Sequence, residues 1–218
     1  MHPGVVTTTV APEHSRTDWR ELIAILLLSV TAILTAWTGF QASKWSGAMS
    51  ISFSQASTNR IEAARLESTA NRKLSVQVAL FTQWLEAYQS GDTELTEFLQ
   101  ARFPEPLATV FPAWLDTRPL KDPDAPATPF DMKEYVIPES VDARAADATA
   151  DRKFRQALRN NQRGDNYTVL TIGFACVLFF AALSERMRRR NAQWALLCLG
   201  GVGFVILAVI LMTFPKMI

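Results

Sequence analysis

The sequence predicts an all-α membrane protein with three transmembrane helices, and with a long helical hairpin and a proline-rich cap inserted between the first helix and the second. Three apolar stretches without a charged residue support this prediction: Leu22–Phe40, Tyr167–Leu183 and Ala195–Phe214. They contain 19, 17 and 20 residues, and about 20 helical residues at ~1.5 Å each cross a hydrocarbon core ~30 Å thick. Residues 41–166 are polar or amphipathic, so we expect them to lie on one side of the lipid bilayer.

Charge and cysteine content exclude two classes of protein for the polar block. The chain of 218 residues has a formal net charge of +1, and Lys44–Asp165 contains 15 Lys/Arg and 17 Asp/Glu, a net of −2. A nucleic-acid partner is therefore not expected, since it requires a basic surface. Both cysteines, Cys176 and Cys198, lie in apolar stretches, so a disulfide framework in the polar block is excluded.

Residues 1–21 are expected to form a cytoplasmic tail rather than a signal peptide, because they contain no apolar run and no small-residue cleavage site follows the first span. Cytoplasmic loops are enriched in Lys and Arg, and the loop 184–194 contains Arg186, Arg188, Arg189 and Arg190. The bias is modest, because four cations lie near the membrane on the other side: Lys44, Arg159, Arg163 and Lys216. It predicts that residues 41–166 and the tail 215–218 are extracytoplasmic.

The first helix is predicted to continue out of the membrane to about Ser90, with one kink near Gly47. Apolar residues recur there at helical spacing, at Ala70, Leu74, Val78, Phe81, Leu85 and Tyr88. Gly91 ends this pattern, and Asp92 is placed to cap a short helix that contains Leu95, Phe98 and Leu99.

Residues 103–138 are predicted to form an ordered cap on the hairpin tip. This segment holds eight of the eleven prolines, which exclude a long helix, and we expect only a short one at Pro112–Thr117. It is also rich in aromatic residues, which disordered linkers lack. We expect Trp114, Phe130 and Tyr135 to be buried near Trp84 and Phe98.

An alanine-rich helix is predicted from about Glu139 into the second span. Proline is absent from this stretch and helix propensity is high, with Gly164 as the only weak point. The two helices outside the membrane would contain roughly 45 and 25 residues and stand ~65 and ~40 Å tall. Such lengths are too great for one thin hairpin to bury, so we expect a protein partner.

Catalytic signatures are absent from the sequence. Both histidines, His2 and His14, lie in the N-terminal tail, and no glycine-rich phosphate loop or Cys-x-x-Cys motif occurs. We therefore expect no catalytic residue, no cofactor and no metal.

Two sets of residues are candidates for contacts between helices. Small residues form a stripe along the first helix, and five of them are candidates for a packing seam: Ala32, Ala36, Gly39, Ser43 and Gly47. Ser46, Ser50 and Ser54 extend the stripe. Because small side chains let membrane helices approach closely, this stripe either packs against the other spans of the same chain or forms a seam or pore lining in a homo-oligomer. Polar residues converge at the outer membrane boundary: Gln41, Lys44, Asn161, Gln162, Asp165 and Asn166.

These polar residues have two interpretations. They either cap helices and contact lipid headgroups, with Trp37 and Trp45 as interfacial anchors, or they form a polar vestibule in an oligomer. An ion pair between Lys44 and Asp165 is expected under either interpretation, because ionisable groups at a membrane edge tend to pair.

Four blocks of the sequence together form a recognisable pattern: Ala36–Gly47, Phe81–Tyr88, Asp122–Pro126 with Pro129–Phe130, and Asn161–Tyr167. They resemble an uncharacterised bacterial family of three-span membrane proteins. The Trp-Ser-Gly block after the first span and the Asp-Asn-Tyr block before the second are the most specific parts, and the resemblance covers about residues 20–185. It implies a bacterial inner-membrane protein and, because no activity is assigned to that family, it implies no mechanism.

Three functions remain open from the sequence. The favoured one is a non-enzymatic homo-oligomer that acts as a scaffold or channel-like assembly. The alternative is an extracytoplasmic sensor or binding subunit of a larger complex, which would need another membrane protein for its output. An intramembrane enzyme is the least favoured, since no nucleophile and base occur together.

Overall fold

The structure is a computed structural model and describes residues 19–119 and 121–217. These residues form five α-helices and one 3₁₀ helix (Pro129–Asp131), with no strand among them. The α-helices are α1 (Trp19–Ser90), α2 (Thr93–Gln100), α3 (Leu107–Asp116), α4 (Pro138–Arg186) and α5 (Arg190–Thr213). The predicted all-α class is confirmed. Most of the predicted tail 1–21, with both histidines, lies outside the described residues, as does Ile218.

Three helices, α1, α4 and α5, are long and apolar enough to cross a membrane, as expected of a multi-pass membrane protein. Two of them also extend far beyond a bilayer, since α1 has 72 residues and α4 has 49, or ~108 and ~74 Å at ~1.5 Å per residue. The prediction that α1 ends at about Ser90 is confirmed. Neither Gly47 nor Gly164 interrupts its helix, so the weak point expected at Gly164 is not a break.

The chain divides into two compact units, which we call the membrane unit (residues 1–47 and 160–218) and the inserted unit (residues 48–159). In the membrane unit, α1 and α5 run parallel. Arg20 Nη1 donates a hydrogen bond to Gln193 Oε1 at 3.4 Å, and further along both helices a Cβ at Gly200 would lie 3.7 Å from Leu27 Cδ2.

An apolar cluster joins the three helices of the membrane unit. Its buried members are Trp45 from α1, Tyr167, Leu170 and Phe174 from α4, and Leu211 from α5. Lipid tails are as apolar as these side chains, so the cluster stabilises the unit through van der Waals contact rather than through exclusion of water.

In the inserted unit, α1 packs against α4 through buried alanines, a contact that we call the alanine seam. The alanines recur every seventh residue, at Ala56, Ala63 and Ala70 and at Ala143, Ala150 and Ala157. A seven-residue period keeps one face of a helix against its neighbour, and a methyl side chain lets the two backbones approach closely.

Side-chain pairs across the alanine seam establish its direction. The rings of Phe53 and Phe154 have centroids 5.4 Å apart, and Lys73 forms an ion pair with Glu139. Residue numbers therefore rise along α1 while they fall along α4, so the two helices are antiparallel within this unit.

The proline-rich segment forms an apolar cluster with the end of α1, in which Phe130 and Tyr135, both predicted to be buried, are only partly buried. The Trp114 side chain is almost fully buried, and its ring centroid lies 5.3 Å from that of Phe81 and 6.4 Å from that of Trp84. Phe130 packs edge-on against Phe81 at 5.6 Å and against Tyr135 at 5.1 Å. We call this the cap cluster.

The helix of the cap, α3, is longer than the predicted segment Pro112–Thr117 because it begins at Leu107 and contains Pro112 in its interior. A proline inside a helix removes one backbone hydrogen bond. Burial of Leu107, Val110, Phe111 and Trp114 offsets this cost by placing one face of α3 in the cap cluster.

The short helix α2 begins as predicted, since the Asp92 carboxylate accepts a hydrogen bond from the Leu95 backbone N–H at 3.0 Å. Leu99 joins the cap cluster. The prediction that Phe98 lies in the same cluster is wrong, because its side chain is 49% exposed. The Arg102 guanidinium covers the Phe98 ring at 3.6 Å from the centroid, which shields the ring without burying it.

One buried amide fastens the cap to α1. Gln77 is 1% exposed, and its Nε2 donates to the Glu105 carbonyl oxygen at 3.1 Å. Its Oε1 accepts from the Leu107 N–H at 3.2 Å and from the Tyr135 hydroxyl at 3.0 Å. Burial raises the pKa of Tyr135 to about 12, so this phenol remains a donor at neutral pH.

Candidate functional site: two faces of α1 in the membrane unit

The first face of α1 in the membrane unit is buried and partly polar. Thr31, Thr38 and Gln41 are each 0% exposed, and Trp45 is 5% exposed. Positions 31, 38 and 45 are one heptad apart, so they lie on the side of α1 that meets α4 and α5. We call this the buried face.

Gln41 uses this position to hold the C-terminal segment of the membrane unit. Its Nε2 donates to the Met217 carbonyl oxygen at 2.9 Å, and its Oε1 accepts from the Met217 N–H at 3.0 Å. Nearby, the Tyr167 hydroxyl donates to the Pro215 carbonyl oxygen at 3.1 Å. These three bonds satisfy backbone groups of Pro215 and Met217, which follow the end of α5.

A threonine pair adds a contact between helices deeper in the unit. The Thr171 hydroxyl lies 2.9 Å from the Thr38 hydroxyl oxygen, and the Thr38 hydroxyl lies 3.0 Å from the Thr35 carbonyl oxygen. Thr31 has a buried hydroxyl with no hydrogen-bond partner in the described part of the chain. The contacts of Thr38 with Thr171 and of Gln41 with Met217 could not be predicted, because no local pattern in the sequence specifies a distant partner.

The second face of α1 contains the predicted stripe, and we call it the small-residue face. Four of its members, Ala32, Ala36, Ser43 and Gly47, are exposed, and Gly39 is half-buried. A Cβ atom built on Gly39 or Gly47 would meet no atom within 4 Å. Within the described chain, the small-residue face is therefore free of the other two membrane helices.

Other glycines of the membrane unit do line contacts within the chain. A Cβ at Gly173 would lie 2.8 Å from Leu207 Cδ2, and one at Gly203 would lie 3.5 Å from Val177 Cγ2. A Cβ at Gly164 would lie 3.5 Å from Ser46 Oγ. The close approach of helices inside the chain thus uses Gly164, Gly173 and Gly203, and Ser46 is the member of the predicted stripe that takes part in it.

The six polar residues predicted at the membrane boundary do not form one group. Gln41 is buried as described, whereas the other five are exposed or half-buried: Lys44, Asn161, Gln162, Asp165 and Asn166. The four on α4 pair along their own helix, with Asn161 Nδ2 2.9 Å from Asp165 Oδ2 and Gln162 Nε2 3.1 Å from Asn166 Oδ1. A vestibule built from them remains a prediction.

The ion pair expected between Lys44 and Asp165 is not formed in the described chain. The Asp165 carboxylate accepts from Asn161 instead, and the Lys44 ammonium lies 6.0 Å from the centroid of the Phe40 ring. The cation that does cross between the helices is Arg163, whose guanidinium lies 4.6 Å from the Trp45 ring centroid. Between the two helices, a contact of the Arg163 cation with the Trp45 ring is thus present in place of the expected contact between Lys44 and the Asp165 carboxylate.

In residues 19–119 and 121–217, no group of three or more His, Cys, Asp or Glu side chains is placed to hold a metal ion. The side-chain clusters of these residues therefore do not identify a chemical reaction. Comparisons with known proteins identify no relative, since no family model, no curated protein and no solved structure matches the chain. The predicted absence of catalysis and cofactors, and the resemblance to a bacterial family, thus stay predictions.

Proposed function

We propose that this protein is a non-enzymatic integral membrane protein that assembles as a homo-oligomeric scaffold through the small-residue face of α1. The observation that supports this proposal is the exposure of Ala32, Ala36, Ser43 and Gly47, whereas Gly164, Gly173 and Gly203 pack against other helices of the same chain. The stripe is therefore available for a helix of another subunit.

Lipid tails compete with a helix of another subunit for contact with the small-residue face. Helices in a bilayer associate when small side chains let their backbones approach closely, because van der Waals contact between helices then exceeds contact with mobile lipid tails. A face made of Ala, Gly and Ser over about four turns satisfies this condition, whereas large side chains such as Ile33 and Phe40, also exposed on α1, fit lipid.

The proposal has three finer parts. Residues 41–166 form a helical hairpin with its proline-rich cap on the extracytoplasmic side of a bacterial inner membrane, and the arginine-rich loop 184–194 is cytoplasmic. A channel-like assembly is the variant in which the polar members of the stripe line an axis. A periplasm-active reporter fused after residue 217 should be active, and activity of a cytoplasm-only reporter there would reverse the orientation.

Native mass in mild detergent tests the assembly. We expect a discrete oligomer for the unmodified protein and monomers for Gly39→Leu and Ser43→Leu, since a leucine separates the backbones over about one turn. Both variants should still insert, because they make the span more apolar.

Two glycine variants are matched controls for this experiment. Gly201→Leu should leave the oligomer unchanged, since a Cβ there meets no atom within 4 Å and the position lies off the stripe. Gly173→Leu, which collides with Leu207, should instead lower the stability of the monomer itself. A monomeric unmodified protein, or an oligomer that tolerates leucine at both Gly39 and Ser43, would contradict the proposal.

The second candidate function is a binding subunit, and one observation favours it. The end of α1 and the helix α2 expose Tyr88, Leu95 and Phe98 near the cap, and exposed apolar side chains that are grouped together are typical of protein contacts. The same mass measurement separates the two functions: a monomer that co-purifies with a second membrane protein, and loses it on Leu95→Asp, supports the binding subunit.

A further inference from the structure

An apolar groove opens between the first turns of α1 and the middle of α5 in the membrane unit. It has a volume of about 450 Å³ and is lined only by apolar residues, including Trp19, Leu22, Leu26 and Val30 of α1 and Phe204 of α5. The lining side chains on α1 are substantially exposed, with Trp19 at 77% and Leu26 at 58%. The described chain leaves this groove unfilled.

The length of the groove matches one leaflet of a bilayer. It follows α1 from Trp19 to Val30, and eleven steps at ~1.5 Å give ~16 Å. Half of a hydrocarbon core ~30 Å thick is ~15 Å. A single acyl chain that enters from the headgroup region therefore reaches the end of the groove near the bilayer midplane.

Cations cluster at the end of the groove that meets the headgroup region. Arg20 holds the start of α1 to α5 through Gln193, and the turn between α4 and α5 adds Arg186, Arg188, Arg189 and Arg190, all of them exposed. Within residues 19–119 and 121–217 none of those four forms an ion pair. With Glu21 and Glu185 as the nearby acids, these four arginines and two glutamates leave a net charge of +2.

The start of α5 adds backbone donors to this cluster. Helix α5 begins at Arg190, and no side chain caps its N-terminus. The first N–H groups of a helix lack partners inside the helix and point toward its N-terminal end, where they favour an anion. A phosphate in the headgroup region can therefore meet arginine side chains and helix N–H groups together.

We propose that this groove and its arginine cluster form a binding site for an anionic phospholipid. One acyl chain lies along Leu22, Leu26 and Val30, and the phosphate lies among the arginines at the start of α5. A neutral phospholipid can place an acyl chain in the groove but does not compensate the net positive charge. The site therefore prefers a phospholipid with an anionic headgroup. This inference does not depend on homo-oligomer formation.

Native mass spectrometry of the full chain in mild detergent tests the site. The probe is an equimolar mixture of dioleoylphosphatidylglycerol and dioleoylphosphatidylcholine. We expect one phosphatidylglycerol retained per chain, in preference to phosphatidylcholine. Arg189→Gln combined with Arg190→Gln should lower its retention by about 25-fold, at about five-fold for each arginine near a charged headgroup.

A groove variant and two controls complete the test. Leu26→Trp fills the groove and should lower the retention of both lipids. Val202→Trp, at an exposed position of α5 outside the groove, should leave retention unchanged, as should removal of the remote cations by Lys44→Gln with Lys216→Gln. Equal retention of both lipids by the unmodified protein, unchanged retention in the arginine variant, or a changed subunit number on Leu26→Trp would overturn the proposal.

Discussion

The cap cluster and the alanine seam lie in the same inserted unit, yet they are packed by opposite means. The cap buries large rings, among them Phe81, Trp84, Phe111 and Trp114, whereas the seam buries methyl groups at every seventh position. A buried aromatic side chain removes ~150–250 Å² from water, or about 4–6 kcal/mol at ~25 cal/mol per Å². An alanine methyl contributes about 0.8 kcal/mol.

The difference indicates which part of the inserted unit supplies most of its stability. The cap holds a proline-rich segment in place without a partner, because its rings contact one another and Gln77 satisfies the backbone beneath them. The seam leaves large side chains in water, including Ile51 at 62% and Ile61 at 69% exposure. The seam thus contributes less apolar burial to the unit than the cap does.

The largest expected effect is the loss of the buried amide at the cap. Gln77→Leu keeps the volume of the side chain approximately but leaves the Glu105 carbonyl, the Leu107 N–H and the Tyr135 hydroxyl without a partner. The buried Leu107 N–H costs about 1–3 kcal/mol when it is left unsatisfied. The two part-buried bonds, to the Glu105 carbonyl and from the Tyr135 hydroxyl, contribute about 0.5–1.5 kcal/mol each, so we expect the free energy of unfolding to fall by at least about 2 kcal/mol in denaturant titrations.

The control for this prediction lies on the same helix. Gln83 is exposed, so Gln83→Leu should change the free energy of unfolding by less than about 0.5 kcal/mol. If Gln77→Leu had an equally small effect, the cap would be held by its rings alone.

A smaller effect is expected in the alanine seam. Ala63 is buried between α1 and α4, whereas its neighbour Ala64 is exposed. Ala63→Leu should lower the free energy of unfolding by about 1–3 kcal/mol, because a larger side chain at a buried position forces the neighbouring side chains and backbone to shift. Ala64→Leu should have little effect. Greater stability of the Ala63→Leu protein would indicate that the seam is loose rather than tightly packed.

Local signals explain which parts of this fold are predictable from the sequence. Uncharged length predicts the three spans, Asp92 predicts the start of α2, and the prolines with aromatic residues predict an ordered cap. Each of these depends on residues that are close together in the chain.

Contacts between residues that are distant in the chain could not be predicted from the sequence. The partners of Gln41 and Gln77 lie 176 and 28–58 residues away, and no local pattern specifies them. The orientation of the small-residue face depends on which side of α1 meets α4 and α5. In the structure, the side of α1 that contains Trp45 meets α4 at Gly164. A helical period alone does not show that this side, rather than the side with Gly39 and Gly47, faces α4.

The smallest expected effect concerns the ion pair at the end of the seam nearest the cap. Lys73 donates a hydrogen bond to the Glu139 carboxylate, and this bond lowers the pKa of Glu139. A carboxyl group whose pKa is lower in the folded state stabilises the protein above its unfolded-state pKa, and that contribution is lost as the pH falls through the folded-state pKa. The melting temperature of the unmodified protein should therefore exceed that of Glu139→Gln at pH 7, and the difference should vanish in acid.

The Lys73→Met variant distinguishes the loss of this ion pair from a general effect of acid on the melting temperature. It removes the partner that lowers the pKa of Glu139, so the pH-dependent effect of Glu139→Gln on the melting temperature should shrink when the protein also carries Lys73→Met. Because the pair is exposed at Lys73, water and salt screen it, and raising the ionic strength should reduce the same effect. A melting-temperature difference that vanishes in acid but is unchanged by Lys73→Met would show that the carboxylate acts through the start of α4, where it lies in the first helical turn, and a difference that is unchanged by pH would show that the charge of Glu139 has no part in it.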